Sequence, residues 1–123
     1  MWRRSRTKPA CLFLPAAAAF AEVGWRPAVD VYRTRAGWLA KFDLAGIQPE
    51  DIQLQVEGCT LRVQGIRRDY ALEEDCCYYS LEIAYSRFER HVEFPTSLEQ
   101  ARITMEYQAG MLLVRIRTEG ERP

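Results

Sequence analysis

The recurrence of apolar side chains at every second position between Ile103 and Ile116 constrains the fold of this chain more than any other feature. Every second residue is apolar on either side of Gly110, so each half presents one apolar face, as a β-strand does. The apolar positions are Ile103, Met105, Tyr107, Leu112, Val114 and Ile116. The pattern predicts a hairpin that turns at Gly110. Because an isolated hairpin is barely stable in water, its apolar face must pack against another sheet.

The same two-residue period recurs in the rest of the chain. It predicts a strand–turn–strand unit over Val29–Leu44 and a second hairpin over Ile52–Gly65, with one helical turn at Pro49–Asp51. Ile66–Cys77 is charged and has no clean period, which predicts a long loop, and such loops are usually functional. Tyr78–Pro95 returns to strand character. About seven short strands and no long helix predict an antiparallel β-sandwich.

Length and charge exclude several classes of protein. A chain of 123 residues fits one domain. Its 17 basic and 17 acidic residues leave no net charge at pH 7, which disfavours binding to nucleic acid. No apolar run approaches the roughly 20 residues that a membrane-spanning helix needs, so we expect no stable membrane insertion.

The residues that could carry chemistry do not form a site in the sequence. His91, the only histidine, alternates with Glu89 and Glu93 on a polar strand face, without a nucleophile motif beside it. Glycine loops that bind phosphate and Gly-x-Ser-x-Gly motifs are missing. The four cysteines lack the spacing of a zinc site. We therefore expect no enzyme activity, no cofactor and no metal.

The cysteines also bear on the cellular compartment. Four cysteines are too few for a disulfide-stapled secreted scaffold of this length, so we expect free thiols and a cytoplasmic location. Cys76 and Cys77 leave a disulfide between subunits, or a reactive thiol, as open alternatives. The carboxylates of Glu73, Glu74 and Asp75 disfavour a thiolate there, which argues against a redox role.

The first 24 residues differ from the rest in composition. A basic start is followed by a short apolar run that includes Leu12–Leu14 and Phe20, an order similar to that of a secretory signal. Pro15 interrupts the run, and the cysteine pattern is not that of a secreted protein. We therefore expect residues 1–24 to form a flexible apolar arm.

Several short motifs, in order and at matching spacing, resemble the α-crystallin domain of small heat shock proteins. They are Trp25 to Tyr32, Gly37-Trp38, Phe42 to Ile52, Val56-Glu57-Gly58, Leu61 to Gly65, Phe88-Glu89-Arg90, Phe94-Pro95, and Gly110 followed by Leu112. The resemblance covers residues 25–117 and leaves a tail of residues 118–123. It implies an immunoglobulin-like antiparallel β-sandwich that binds partly unfolded proteins without ATP and suppresses their aggregation. It also implies that ATP-dependent chaperones release these clients.

The resemblance further implies where binding occurs. Members of the bacterial and plant branch dimerise by donating a strand from the loop that here is Arg67–Cys77. A groove between two strands accepts a segment from a neighbouring dimer. The implied groove residues are Ile52, Leu54, Val56 and Thr104. The implied dimer-interface residues are Tyr70, Leu72 and Arg90, and the arm residues expected to bind clients are Leu12, Phe13, Leu14 and Phe20.

The chain departs from the family pattern in several places. Ala45 stands where proline is usual, and Met105 and Met111 replace smaller apolar residues of the last hairpin. The tail over residues 118–123 carries no Ile-x-Ile motif, from which we expect a homodimer or a small homo-oligomer. Leu12–Leu14 has the spacing of that motif and is a substitute occupant for the groove, although a generic apolar arm is the simpler interpretation.

Two alternatives stay open. The same sandwich also serves as a non-catalytic interaction module that binds one folded partner, and this is a second hypothesis for the function. Arg90 shares an apolar strand face with Phe88 and Val92, where an unpaired charge is costly. It either bonds acidic or carbonyl groups near the dimer interface or extends its head into water.

Overall fold

The computed structural model describes residues 24–69 and 73–118. These residues form β-strands and one short 3₁₀ turn at Pro49–Asp51, where the sequence predicts a single helical turn. The strands are β1 (Val29–Arg33), β2 (Gly37–Asp43), β3 (Ile52–Glu57), β4 (Thr60–Arg67), β5 (Ser86–Glu93), β6 (Arg102–Gln108) and β7 (Met111–Arg117). In this part of the chain no helix is long and apolar enough to cross a membrane.

The strands form two antiparallel sheets that pack face to face. The larger sheet has the order β1-β2-β7-β6, and the smaller sheet has the order β3-β4-β5. Alternate side chains from both sheets meet in one apolar core. The buried members are Ala40, Phe42, Leu44, Ile47, Ile52, Leu61, Val63, Phe88, Phe94, Leu98, Leu112, Val114 and Ile116. The predicted all-β antiparallel sandwich is confirmed.

The hairpin predicted from the alternation is β6–β7. Ile103 lies opposite Ile116 across it. Its two-residue turn places Ala109 at φ 53° and Gly110 at φ 80°. Two positive φ angles are typical of a type I′ turn, whose twist matches that of the flanking strands. The inner side of β7 is buried in the core, so the hairpin obtains the opposing sheet that its apolar face requires.

The region between β4 and β5 differs from the prediction at both ends. β4 continues through Arg67, so the loop begins at Arg68 rather than at Ile66. β5 begins at Ser86, and residues 78–85 form no strand in this chain although they have strand character in the sequence. We call residues 78–83 the exposed segment, because its large apolar side chains face solvent. Tyr79 is 96% exposed, Leu81 44% and Ile83 59%.

Trp25 explains part of this difference, because it occupies the outer edge of β5. The Trp25 N–H donates to the Arg87 carbonyl at 2.9 Å, and the Glu89 N–H donates to the Trp25 carbonyl at 3.2 Å. The indole also packs against Phe88, with the ring centroids 5.5 Å apart. The exposed segment therefore cannot pair with β5 at this position.

Candidate functional site

β3 is an edge strand of the smaller sheet, and β6 is an edge strand of the larger sheet. Beyond the end of β3, the Gly58 N–H donates to Glu99 Oε2 at 2.8 Å, and Glu99 precedes β6. Near the start of β3, the Tyr107 hydroxyl donates to the Leu44 carbonyl at 2.7 Å and accepts a longer bond of 3.4 Å from the Ile47 N–H. These bonds connect the segments that flank β3 with β6 and the segment before it. We call the surface between Ile52–Val56 and Ile103–Tyr107 the groove.

The floor of this groove is apolar. Ile52 is buried at 7% exposure, and Leu54 and Val56 are half-buried against the core. From the other edge, Ile103 and Tyr107 pack on the same core. Ile52, Leu54 and Val56, three of the residues expected in the groove, thus belong to the apolar side of β3.

Thr104 lies on the other side of its strand. It pairs with Arg115, and neighbouring residues of a strand point to opposite faces, so the inward side of β6 belongs to Ile103, Met105 and Tyr107. Met105 is 44% exposed. Met105 is therefore on the same side of β6 as Ile103 and Tyr107, and Thr104 is on the other side. The alternation in the sequence carries this information, since Met105 is an apolar position and Thr104 is not.

Arg90 is half-buried on β5, and its Nη1 donates to the Pro27 carbonyl at 2.8 Å. Its Nε is buried and has no hydrogen-bond partner within the described residues. The carbonyl partner expected for Arg90 thus comes from the same chain, at the entrance to β1. The other expected interface residues, Tyr70 and Leu72, lie outside the described residues, as do the arm residues Leu12, Phe13, Leu14 and Phe20.

A second apolar surface lies at the opposite side of the sandwich. Ser80, Leu81, Glu82, Ile83 and Tyr85 line a cavity of about 390 Å³ along the exposed segment. β1, an edge strand of the larger sheet, also exposes apolar side chains, since Val31 and Tyr32 are each 42% exposed. An apolar segment with strand periodicity and an edge strand are the kinds of surface that strand addition uses.

The polar surface of the smaller sheet carries the lone histidine. His91 Nε2 lies 3.1 Å from Glu89 Oε2, and Arg62 Nε lies 3.5 Å from the same oxygen. The His91 side chain is 55% exposed. Among the residues that the structure describes, no three His, Cys, Asp or Glu side chains are grouped to hold a metal ion.

The cysteines differ from the expectation in one respect. Cys59 and Cys76 are free and exposed, but Cys77 is disulfide-bonded. The expectation of free thiols is therefore wrong for Cys77. Since Cys76 is free, the two adjacent cysteines do not bond to each other.

One carboxylate on the surface has a shifted titration. Arg68 donates from Nε and Nη2 to the two oxygens of Asp51, at 2.9 and 3.1 Å. These charge-assisted hydrogen bonds hold the pKa of Asp51 below its ordinary value, against desolvation, which raises it, and the Coulomb attraction of Arg68 adds a smaller lowering. The pair fastens the 3₁₀ turn at Pro49–Asp51 to the end of β4.

Comparison with known proteins agrees with this geometry. The model of the Hsp20/alpha crystallin family matches residues 30–122. Small heat shock protein C2 of Rickettsia felis is 24% identical over 90 residues, which cover 73% of this chain and 58% of that protein. The chain spans about half the length, or less, of the curated relatives that it matches.

Two solved structures are similar over most of the chain. HSP18.5 from E. histolytica has 29% sequence identity and a TM-score of 0.63, covering 76% of this chain and 88% of its own. The hspA of Xanthomonas axonopodis has 27% identity and a TM-score of 0.65, covering 79% and 97%. The family model matches most of the chain, and the chain belongs to the Hsp20/alpha crystallin family.

Proposed function

We propose that this protein is an ATP-independent holdase, which binds partly unfolded proteins in the cytoplasm and suppresses their aggregation. The observation that carries the proposal is the groove between β3 and β6, an apolar floor between two sheet edges. Partly unfolded proteins expose apolar segments in extended conformation, and such segments bind by adding to an exposed edge while their side chains enter apolar pockets.

Several weak contacts acting together would give such a protein its affinity for clients. Each contact with a client is small, but contacts at the groove and at the arm residues Leu12, Phe13, Leu14 and Phe20 act together through a high effective concentration. A holdase that binds only non-native chains lowers the concentration of the aggregating species and does not refold it. Release to ATP-dependent chaperones is therefore part of the proposal.

The functional unit that we propose is a homodimer or small homo-oligomer. The exposed segment and the β1 edge support it. If the exposed segment of one copy paired with β1 of a second copy, its apolar side chains would be covered and the edge of β1 would gain backbone hydrogen bonds. Tyr70, Leu72 and Arg90 stay in the proposed interface, and Leu12–Leu14 stays a candidate occupant of the groove.

The test is an aggregation assay without nucleotide. Three unrelated enzymes that precipitate on heating are incubated with equal moles of this protein or of an inert protein of similar mass, and light scattering is followed. A holdase lowers scattering for all three. No protection of any client would overturn the proposal and favour the second hypothesis, a module that binds one folded partner.

A matched pair of variants localises the effect. Met105→Glu places a charge on the inward side of β6, whereas Thr104→Glu places the same charge one residue away on the outer face, opposite Arg115. We expect Met105→Glu to weaken protection several-fold and Thr104→Glu to leave it unchanged. Equal effects of the two variants would remove the groove from the proposal.

A further inference from the structure

Arg67, the last residue of β4, joins three segments that are distant in the sequence. Its Nε and Nη2 both donate to the Ala84 carbonyl, at 2.9 and 2.7 Å. Its Nη1 donates to the Ala45 carbonyl at 3.0 Å, in the connection between β2 and β3. The guanidinium carbon lies 4.1 Å from the centroid of the Trp25 ring system. One side chain thus fastens the exit of the exposed segment, an inter-sheet connection and the entrance of the chain into the sandwich.

The backbone beside this side chain is unusual. Ser86 is the register partner of Arg67 and has a φ of 81°, a left-handed conformation that residues other than glycine rarely adopt. A residue stays in that conformation only when its surroundings fix it. The fork of hydrogen bonds to Ala84, two residues earlier, supplies such a constraint. The chain therefore turns sharply between the exposed segment and β5, at a place that Arg67 holds.

We propose that Arg67 is a positioning residue, which sets the direction in which the exposed segment leaves the sandwich and couples that direction to Trp25. The coupling to self-association rests on the proposed dimer, since the exposed segment is the surface that a second copy would cover. The entropy of ordering a segment opposes association, and a segment held in place before binding loses less of it. Arg67 would thus strengthen the dimer without lying in its interface.

The variant must separate hydrogen bonding by the Arg67 guanidinium from packing by its aliphatic stem. Arg67→Lys keeps the aliphatic stem and the charge, but an ammonium cannot present the planar fork that reaches Ala84 and Ala45 together. If Arg67 acted only through its stem, lysine would restore wild-type behaviour. Arg115→Lys is the matched control, because Arg115 is half-exposed and pairs with Glu106 on the outer face of the larger sheet.

The first measurement is hydrogen exchange of the full chain, followed by mass spectrometry of peptides. In Arg67→Lys we expect amides at the start of β5, where the Glu89 N–H donates to the Trp25 carbonyl, to exchange about tenfold faster. This factor corresponds to losing one hydrogen bond to a charged group. Amides of the β6–β7 hairpin should keep their protection, and Arg115→Lys should match the wild type. Wild-type exchange in Arg67→Lys would overturn the proposal.

The second measurement is the dissociation constant of the dimer, from sedimentation over a dilution series. We expect Arg67→Lys to raise it by about tenfold, for the same reason. An unchanged dissociation constant together with faster exchange would overturn the link to association. A wild type that is monomeric at every concentration would refute the proposed dimer instead, and the exchange experiment would still decide the role of Arg67.

The link to Trp25 has its own test. Trp25→Leu removes the ring beneath the guanidinium, so it should also speed exchange at the start of β5. If the two side chains act through one contact, the double variant with Arg67→Lys should exchange no faster than the faster single variant. Effects that multiply would contradict the coupling to Trp25.

Discussion

Two segments of this chain, Ile52–Val56 and Tyr79–Ile83, have the same alternation of apolar and polar residues but different environments. The first lies in β3, bonded along its length to β4, with its apolar side chains turned to the core. The second lies outside any strand, with its apolar side chains 44 to 96% exposed. An alternating sequence therefore specifies a surface that needs a partner, and it does not specify whether the partner is in the same chain.

The largest effect should separate the two segments directly. Ile52→Ala deletes a side chain buried at 7% exposure, so we expect a loss of about 2–4 kcal/mol in the free energy of unfolding. Ile83→Ala deletes the same atoms at 59% exposure, and the loss should stay within about 0.5 kcal/mol for the monomer. Urea denaturation at low protein concentration measures both. Similar losses would mean that the exposed segment packs within its own chain.

A second prediction concerns the close packing around Gly65, which pairs with Ile52 at the start of β3. A Cβ at Gly65 would lie 2.1 Å from the Asp51 carbonyl oxygen and 2.7 Å from the Phe88 ring, and backbone at that distance cannot yield cheaply. We expect Gly65→Ala to destabilise the fold by about 2–3 kcal/mol. At Gly58 a Cβ meets nothing within 4 Å, so Gly58→Ala should cost about 1 kcal/mol, from its positive φ alone. Thermal unfolding of both variants tests the difference.

A third prediction compares the turns beside the two kinds of segment. Ala109 and Ser86 both have positive φ, at 53° and 81°. Ala109→Gly should raise the free energy of unfolding by about 0.5–1 kcal/mol, because glycine adopts this conformation without strain. Ser86→Gly should give a similar or smaller gain and also speed hydrogen exchange at the start of β5. Slower exchange there would contradict the constraint assigned to this turn.

The smallest effect is electrostatic. The pKa of Asp51 is lower in the folded protein than its ordinary value, so the Arg68 pair stabilises the fold above the unfolded pKa, about 4. This stabilisation is lost as the pH falls through the folded pKa. The melting temperature of the wild type should thus exceed that of Asp51→Asn at pH 6, and the difference should shrink towards pH 2. A difference that grows on acidification would contradict the assignment.

Much of the fold could be predicted from the sequence, because alternation is a local property. The β6–β7 hairpin, the β3–β4 hairpin and the turn at Pro49–Asp51 all follow from neighbouring residues. The sequence could not predict that Tyr79–Ile83 forms no strand, because strand formation depends on a free sheet edge to pair with. Trp25 occupies the edge of β5.

Hydrogen bonds between a side chain and residues distant in the sequence could not be predicted either. The fork that Arg67 makes with Ala84 and Ala45 leaves no signal in the sequence, where Arg67 is one charged residue next to another. Thr104 and Met105 illustrate the opposite case, because the alternation already separates the inward residue from the outward one.

The mass of the protein in solution tests most directly whether a second copy covers the exposed segment. Sedimentation over a dilution series should give about twice the chain mass of 14.3 kDa, or a small multiple of it, at high concentration. Ile83→Asp should shift the protein to the mass of one chain while leaving its fold intact. A wild type of one chain mass at every concentration, a uniform particle of a dozen or more subunits, or an Ile83→Asp variant that associates like the wild type would contradict the account.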